Sequence, residues 1–185
     1  SHLNKRLVDG PMVISAKLNA INAGVAETDV LNYDAIIGNI TAEELAGAAV
    51  VNMDKIQNGI DDLEQTIGEF NDPMLLTTLD YVAELKHAVT DYGDFGLALC
   101  NLISEGKTQR AQEIFNQYKK VANGAVDDSY AKINEIVETK TATYAVRING
   151  VIAAIGVILL LISALCTVTA VFIVRNLCAF LDGSL

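Results

Sequence analysis

The amino-acid sequence predicts an all-α protein, an up-down-up-down four-helix bundle whose fourth helix continues into a transmembrane helix. Three observations predict this fold. The 27 residues between Arg147 and Arg175 carry no charge, and Pro occurs only at positions 11 and 73 of 185. Three helix-stop and helix-start clusters divide the preceding segment into four stretches with heptad-like apolar spacing. Because the connections are short, we expect consecutive helices to run antiparallel.

The first stretch runs from about Leu3 to Ile37 and has the least regular pattern. We expect Pro11 to kink it near its start. Gly38 suits the left-handed conformation that ends a helix. The predicted apolar stripe consists of Val13, Leu18, Ile21, Val25 and Leu31.

The second stretch begins with a capping signal, because Thr41 and Glu44 have the spacing of a reciprocal capping box. Its apolar residues recur at intervals of three and four, which places them on one face of a helix. The predicted stripe consists of Leu45, Ala49, Met53, Ile56, Ile60, Leu63, Ile67 and Phe70.

The third stretch is predicted as one helix that begins at Asp72 and Pro73 and ends at Gly106. Asp72 can accept hydrogen bonds from the free amides of the first turn, and Pro73 fits its first position. The predicted stripe consists of Leu75, Leu79, Val82, Leu85 or Lys86, Val89, Tyr92, Phe95 or Gly96, Leu99 and Leu102.

The fourth stretch begins at Thr108, and no proline or turn cluster separates it from the uncharged residues that follow. We therefore expect one unbroken helix that runs from the bundle into the membrane and acts as a mechanical rod. The predicted stripe consists of Ala111, Ile114, Tyr118, Val121, Ala125, Ile133 and Ile136.

Residues 147–175 are predicted to span a membrane, so membrane lipid is an expected partner. At about 1.5 Å per residue, the uncharged stretch reaches roughly 40 Å, against a hydrocarbon core of about 30 Å. Hydroxyl side chains at Ser163, Thr167 and Thr169 can bond back to the helix and are tolerated in lipid. Tyr144 and Arg147 are candidate interfacial anchors.

The segment before Arg147 is acidic, with eleven Lys and Arg against 22 Asp and Glu, a charge near −11 (11 − 22). Such a surface repels phosphate backbones, so we expect no nucleic-acid partner. Cys100 is the only cysteine before the uncharged stretch and lies beside Leu99 and Leu102. We expect a buried, reduced thiol there, with a disulfide between subunits as the alternative. The sequence starts without Met or a signal-peptide pattern, so we expect a fragment.

No catalytic constellation emerges, so we expect no enzyme, no cofactor and no metal site. His87 has no metal-binding or catalytic motif around it and is expected to be a solvated or half-buried helix residue. The acidic groups lack the central glycine of a calcium loop and are expected to be solvated helix faces. They are Asp61, Asp62 and Glu64 in one group, and Asp91 with Asp94 in the other. The glycosylation motif at 39–41 is explained by the capping role of Thr41.

Polar residues on the first helix suggest either a small-molecule pocket between bundles or an exposed surface. They are Ser15, Lys17, Asn19 and Asn22. Tyr118, Tyr130 and Tyr144 on the fourth helix are expected to pack in the core, with an interface as the alternative.

Together these segments resemble the four-helix-bundle sensor domain of methyl-accepting chemotaxis proteins. The resemblance covers nearly the whole chain. It rests on IleSerAlaLysLeuAsnAlaIleAsnAla at 14–23, GluGlyLysThrGlnArgAlaGlnGluIlePheAsnGlnTyrLysLys at 105–120, and a long last helix that enters a span.

The resemblance implies a chemoreceptor-like signal transducer in the cell inner (plasma) membrane, acting as a homodimer. The same bundle also precedes histidine kinases and cyclic-di-GMP enzymes, so the resemblance does not identify the output domain. Residues 1–146 would be the extracytoplasmic sensor domain, preceded by a first span. Residues 147–175 would be the transmembrane helix, and 176–185 the start of a cytoplasmic HAMP linker. A small molecule or a protein would be the ligand.

Two departures limit what the resemblance carries over. Phe180 stands where a HAMP linker is expected to have proline. The amino-acid-sensing members hold ligand carboxylates with arginines on the first helix, but this sequence has no arginine between Arg6 and Arg110. No binding residue is therefore transferred, and the ligand-binding residues are unknown.

The alternative from another class is a tail-anchored cytosolic helical protein for membrane tethering or fusion. Lys132, Lys140 and Arg147 precede the uncharged stretch closely, whereas only Arg175 follows it. The positive-inside rule applied to these charges places the bundle in the cytoplasm. Charge alone therefore leaves the sidedness open.

Overall fold

The computed structural model describes residues 2–182, and the side chains of residues 10–175. This part of the chain is all-helical, as predicted. The helices are α1 His2–Ile36, α2 Ala42–Phe70, α3 Pro73–Leu76, α4 Leu79–Ser104 and α5 Thr108–Asp182. The chain forms two compact units, Ser1–Thr141 and Ala142–Leu185, and α5 contributes residues to both.

The predicted helix boundaries are confirmed by their hydrogen bonds. The Thr41 hydroxyl accepts from the Glu44 amide at 3.1 Å, and the Glu44 carboxylate accepts from the Thr41 amide at 2.7 Å. Asp72 accepts from the amides of Met74 and Leu75, directly before the first turn of α3. Gly38 has φ +84° and Gly106 has φ +73°, a conformation that glycine adopts without a steric penalty.

The prediction of a single helix from Asp72 to Gly106 is wrong, because α3 ends at Leu76 and α4 begins at Leu79. Two threonines separate them. The Thr77 hydroxyl donates to the Met74 carbonyl and the Thr78 hydroxyl donates to the Leu75 carbonyl, each at 2.6 Å. Such local side-chain bonds offer carbonyls an alternative to the helical ladder.

One hydrophobic core lies between α1, α2, α4 and the first part of α5. Lys17 on α1 contacts Asp62 on α2, and Lys86 on α4 contacts Asp61 on α2. On α5, the Tyr118 ring stacks on Phe95 of α4, with ring centroids 4.1 Å apart. The largest fully buried side chains of the described residues come from these four helices and from α3. They are Tyr92, Ile14, Leu18, Leu45, Ile56, Ile60, Leu63, Ile67, Leu75, Leu85, Leu99 and Ile133, of which Leu45 belongs to a second, smaller cluster with Ala35 and Cys100.

The α2 and α4 stripes are largely as predicted, but the α1 and α5 stripes need correction. On α1, Ile14 is fully buried while Val13 is 38% exposed, and Leu31 is half-buried. Pro11 is a buried residue inside α1, which continues through it.

On α5, Val121 is 69% exposed and Ala125 is exposed, contrary to the prediction. Ile114, Tyr118 and Ile136 are half-buried. Two apolar stripes lie side by side on this helix, and the sequence pattern does not say which one faces the neighbours. The buried stripe consists of Ala111, Phe115, Ala122, Val126, Ile133 and Val137.

In the unit Ala142–Leu185, every residue from 145 to 175 is exposed. The hydroxyls of Thr167 and Thr169 donate to carbonyls one turn earlier, at 2.9 Å, as expected of hydroxyl residues in a span. α5 is long and apolar enough to cross a membrane, and its most apolar window is not buried at all. Such a helix is compatible with membrane association.

The side chains of the predicted HAMP start, residues 176–185, lie outside the described part of the chain. α5 extends to Asp182, but the side chain of Phe180 and residues 183–185 are outside the description. The linker therefore stays a prediction.

Candidate functional site

The candidate functional site is a cluster of polar side chains around Asp29 within the helical bundle. The Asp29 side chain lies on α1 and is only 13% exposed. Its Oδ1 accepts a hydrogen bond from the Tyr92 hydroxyl on α4. Its Oδ2 accepts from Asn123 Nδ2 at 2.9 Å and lies 3.1 Å from Lys119 Nζ, both on α5. One carboxylate thus connects three helices.

Tyr92 is almost completely buried within this cluster, with 1% of its surface exposed. Its hydroxyl donates to Asp29 and accepts from Asn32 Nδ2 at 3.3 Å. Burial raises the pKa of Tyr92 above its ordinary value, and the hydrogen bond to Asp29 and the charge of Asp29 raise it further. The phenol therefore stays protonated and remains a donor at neutral pH.

Two buried acceptors of the cluster have no hydrogen-bond partner. Among the described side chains these are Asn32 Oδ1 and Asn123 Oδ1. A buried polar atom without a partner costs about 1–3 kcal/mol, so such atoms call for a physical explanation. A Cβ added to Gly96 would lie 3.8 Å from Asn32 Oδ1, with nothing else within 4 Å outside its own helix backbone and chain neighbours. The unpartnered oxygen therefore faces a position where the helix carries no side chain.

A second polar group, between α1 and α2, is joined by three hydrogen bonds. Asn52 Nδ2 donates to the Gly24 carbonyl and to the Thr28 hydroxyl, both at 2.8 Å. The Thr28 hydroxyl donates to the Gly24 carbonyl at 3.1 Å. The close approach is possible because residue 24 is glycine, since a Cβ there would meet Ile56 Cγ1 at 2.7 Å. This group fastens α1 to α2, and none of its atoms is among the fully buried side-chain atoms that have no partner within the described residues.

The structure separates the polar residues that the sequence grouped on α1. Lys17 contacts Asp62 on α2, whereas Asn19 accepts from the Tyr130 hydroxyl on α5. Asn22 is exposed and Ser15 is half-buried. Lys17 and Asn19 therefore belong to different helix interfaces and do not line one pocket within this chain.

The other candidate residues from the sequence, the acidic groups, His87 and Cys100, show no sign of a binding site. Asp61 and Asp62 pair with lysines at the bundle surface, and His87 is exposed. No group of three metal-ligating side chains occurs within the described residues. Cys100 is buried and unpaired, as predicted, and burial raises the pKa of its thiol.

The three tyrosines of α5, Tyr118, Tyr130 and Tyr144, are half-buried, and Tyr118 and Tyr130 pack against the core. The Tyr118 hydroxyl donates to the Asp91 carbonyl at 3.1 Å. Burial raises the pKa of Tyr118, with smaller contributions from the charges of Asp91 and Asp94. Its ring packs on Phe95 at the edge of the core, which agrees with the expected packing role.

Sequence reasoning missed most of the Asp29 cluster, although a signal for part of it was present. On α1 the buried positions 14, 18, 21, 25, 28, 32 and 35 keep intervals of four and three. Thr28 and Asn32 occupy places in that series, and Asn52 does the same on α2. Polar residues at core positions are the signal. Nothing comparable marks Asp29 or Asn123, which lie beside the buried stripes.

No family model matches the chain, and no significant match is found among curated proteins or solved structures. The geometry of the cluster therefore stands on its own chemistry. It supplies a carboxylate, a phenol and two amide oxygens, a set suited to holding a hydrogen-bond donor.

Proposed function

We propose that this chain is the sensor and transmembrane part of a bacterial chemoreceptor-like signal transducer. Residues 1–146 form an extracytoplasmic up-down-up-down four-helix bundle, 147–175 cross the inner membrane, and 176–185 begin a cytoplasmic linker. The continuity of α5 carries this proposal. Its residues between Ala111 and Val137 contribute to the bundle core, and the same helix includes the uncharged stretch 148–174.

A signal leaves the bundle as a small change in α5. Asp29 on α1 binds both Asn123 and Lys119 on α5, so an event at this cluster acts directly on the output helix. A ligand biases such a two-state element only by its different affinity for the two states. A coupling of about 1–3 kcal/mol is enough, since it shifts the equilibrium about 5- to 150-fold.

A homodimer is part of this proposal, and an exposed stripe on α1 supports it. Its apolar residues recur at intervals of four and three, as in a heptad repeat, and all of them are exposed. The polar residue Asn19 occupies one position of this series. Membrane attachment would hold two copies in the same plane, which raises their effective concentration. The stripe consists of Met12, Ala16, Ala23, Ala26, Val30 and Tyr33.

Cysteine crosslinking of the full chain in membranes tests the dimer. Once the native cysteines are replaced, Val30→Cys is expected to form a disulfide-linked dimer under mild oxidation. Val51→Cys is the matched control, since Val51 is 70% exposed on α2, away from the stripe. Equal yields for the two variants, or none for Val30→Cys and for cysteines placed along 148–174, would reject the dimer.

The topology decides between the sensor and the tail-anchored alternative. The basic residues Lys132, Lys140 and Arg147 before the span favour the alternative, with the bundle in the cytosol. Protease added to intact spheroplasts is expected to cut the loops at 37–41 and 105–107 from outside. Protection of these loops until lysis would reject the sensor and support the cytosolic tether.

A further inference from the structure

Hydrogen-bond acceptors exceed donors in the Asp29 cluster. The Asp29 carboxylate shares its Oδ2 between Asn123 and Lys119. The amide oxygens of Asn123 and Asn32 are buried and have no donor. The side-chain nitrogen of Asn32 donates to the Tyr92 hydroxyl, and that of Asn123 donates to the Asp29 carboxylate. The two unpartnered amide oxygens therefore belong to the same cluster.

Lys119 is the only cationic side chain within the described residues that contacts Asp29, and it is exposed enough to move away into solvent. The Lys119 side chain is 43% exposed, and its Nζ lies 5.5 Å from the Phe115 ring centroid at the edge of the core. A partly exposed lysine loses little when it returns to water. Lys119 therefore acts as an internal ligand that an external cation can replace.

No side chain fills the position at Gly96 that faces the fully buried Asn32. Gly96 is buried, and a side-chain atom bonded to it would have only Asn32 Oδ1 as a neighbour within 4 Å, apart from its own helix backbone and chain neighbours. The side-chain packing is therefore open on this side of the unpartnered oxygen.

We infer that the Asp29 cluster is a binding site for a primary ammonium group. Such a group has three donors and no acceptor, which complements one carboxylate and two unpartnered amide oxygens. It would replace Lys119 on Asp29 and donate to the free amide oxygens. An anionic ligand is disfavoured because it would face the buried carboxylate. The inference rests on the proposed function, since it names the ligand class of the sensor.

Methylammonium chloride is the probe, and tetramethylammonium chloride is its matched control. Both cations carry one positive charge, but only methylammonium has N–H donors. With the full chain in lipid nanodiscs, methylammonium is expected to raise the midpoint of thermal unfolding in a saturable way. Tetramethylammonium at equal concentration is expected to produce no saturable rise. Equal responses to the two salts would overturn the site.

Three variants localise the effect. Asp29→Asn is expected to abolish the methylammonium response, whereas Glu27→Gln, at an exposed carboxylate on the same helix, leaves it unchanged. Lys119→Met removes the internal competitor and lowers the half-saturating concentration about two- to fivefold, the factor that corresponds to one partly exposed ion pair. An unchanged half-saturating concentration in Lys119→Met would contradict the inference even if Asp29→Asn fails to fold.

Gly96→Ser offers the cluster a donor of its own. The new hydroxyl is within reach of Asn32 Oδ1, so this variant is expected to melt higher than the parent without salt and to lose most of its methylammonium response. A full response in Gly96→Ser would count against the site.

The binding assay is independent of topology, so a cytosolic bundle that binds methylammonium would reject only the proposed function. A bundle cut from outside with no methylammonium response would reject only the site.

Discussion

Lys140 Nζ lies 2.6 Å from Asp72 Oδ2, and this contact joins α5 to the residue that caps α3. The two side chains are 15% and 17% exposed, far less than those of the surface pairs Lys55–Glu27 or Lys107–Glu105. Asp72 also accepts from two backbone amides. The pair therefore holds α5 at the turn between α2 and α3, close in sequence to the uncharged stretch.

Lys140→Met is expected to lower the free energy of unfolding by about 1–2 kcal/mol, because it removes a cation from a largely desolvated carboxylate. Chemical denaturation of the full chain in detergent micelles measures this loss. Lys55→Met, at the exposed pair with Glu27, is expected to cost less than about 0.5 kcal/mol. Equal losses would mean that the Lys140–Asp72 contact behaves as an ordinary surface pair.

The pH dependence of stability is expected to include an acid limb from Asp72. Burial opposes its ionisation, but hydrogen bonds from Lys140 and from the amides of Leu75 and Met74 outweigh it and lower the pKa of Asp72. Because the folded-state pKa is lower than the unfolded one, the stabilisation is present above the ordinary carboxyl range near about 4. It is lost as the pH falls through the lowered pKa.

Asp72→Asn isolates this contribution, because asparagine still caps a helix but does not titrate. Below about pH 4 the variant is expected to lose less stability per pH unit than the parent chain. Unfolding midpoints between pH 2.5 and 7 give the comparison. Parallel curves for the two proteins would contradict the assignment.

Asn52→Ala is expected to destabilise the bundle by about 1–3 kcal/mol, because it leaves the Gly24 carbonyl without the Asn52 donor in a buried site. Urea denaturation gives the change. Asn58→Ala, at an exposed position on the same helix, is the control and is expected to stay within about 0.5 kcal/mol of the parent. A small effect at Asn52 would mean that water replaces its hydrogen bonds.

Gly24→Ala and Gly47→Ala are expected to act in opposite directions. At Gly24 a Cβ would meet Ile56 Cγ1 at 2.7 Å, so overpacking is expected to cost about 1–3 kcal/mol. At Gly47 nothing lies within 4 Å, so the better helix propensity of alanine is expected to add up to about 1 kcal/mol. Paired denaturation curves test both, and stabilisation by Gly24→Ala would show that α1 and α2 separate easily.

Cys100 is expected to react slowly with thiol reagents, because it is 8% exposed and burial raises the pKa of its thiol. The measurement uses a variant with Cys166→Ser and Cys178→Ser, so that Cys100 is the only thiol. Its labelling at pH 8 is expected to speed up sharply at the denaturant midpoint. Fast labelling in buffer would indicate that α4 opens locally.

The caps and turns of this protein could be predicted because their causes are local. Thr41 with Glu44, Asp72 with Pro73, and the glycines at 38 and 106 each act within a few residues along the chain. The break at Thr77 and Thr78 is also local, but threonines occur inside many helices, so their presence alone did not predict it.

The sequence by itself determined the helical class, the helix ends apart from the break between α3 and α4, and the apolar stretch suited to a membrane, because propensity, capping and hydropathy depend on near neighbours. Only the tertiary structure decided which of two apolar stripes on α5 is buried, since Phe115 and Val121 are equally suited to a core. It also placed Asp29 beside Tyr92 and Asn123, which are 63 and 94 residues away in the chain. Helix packing, and not any local pattern, brings those polar groups together.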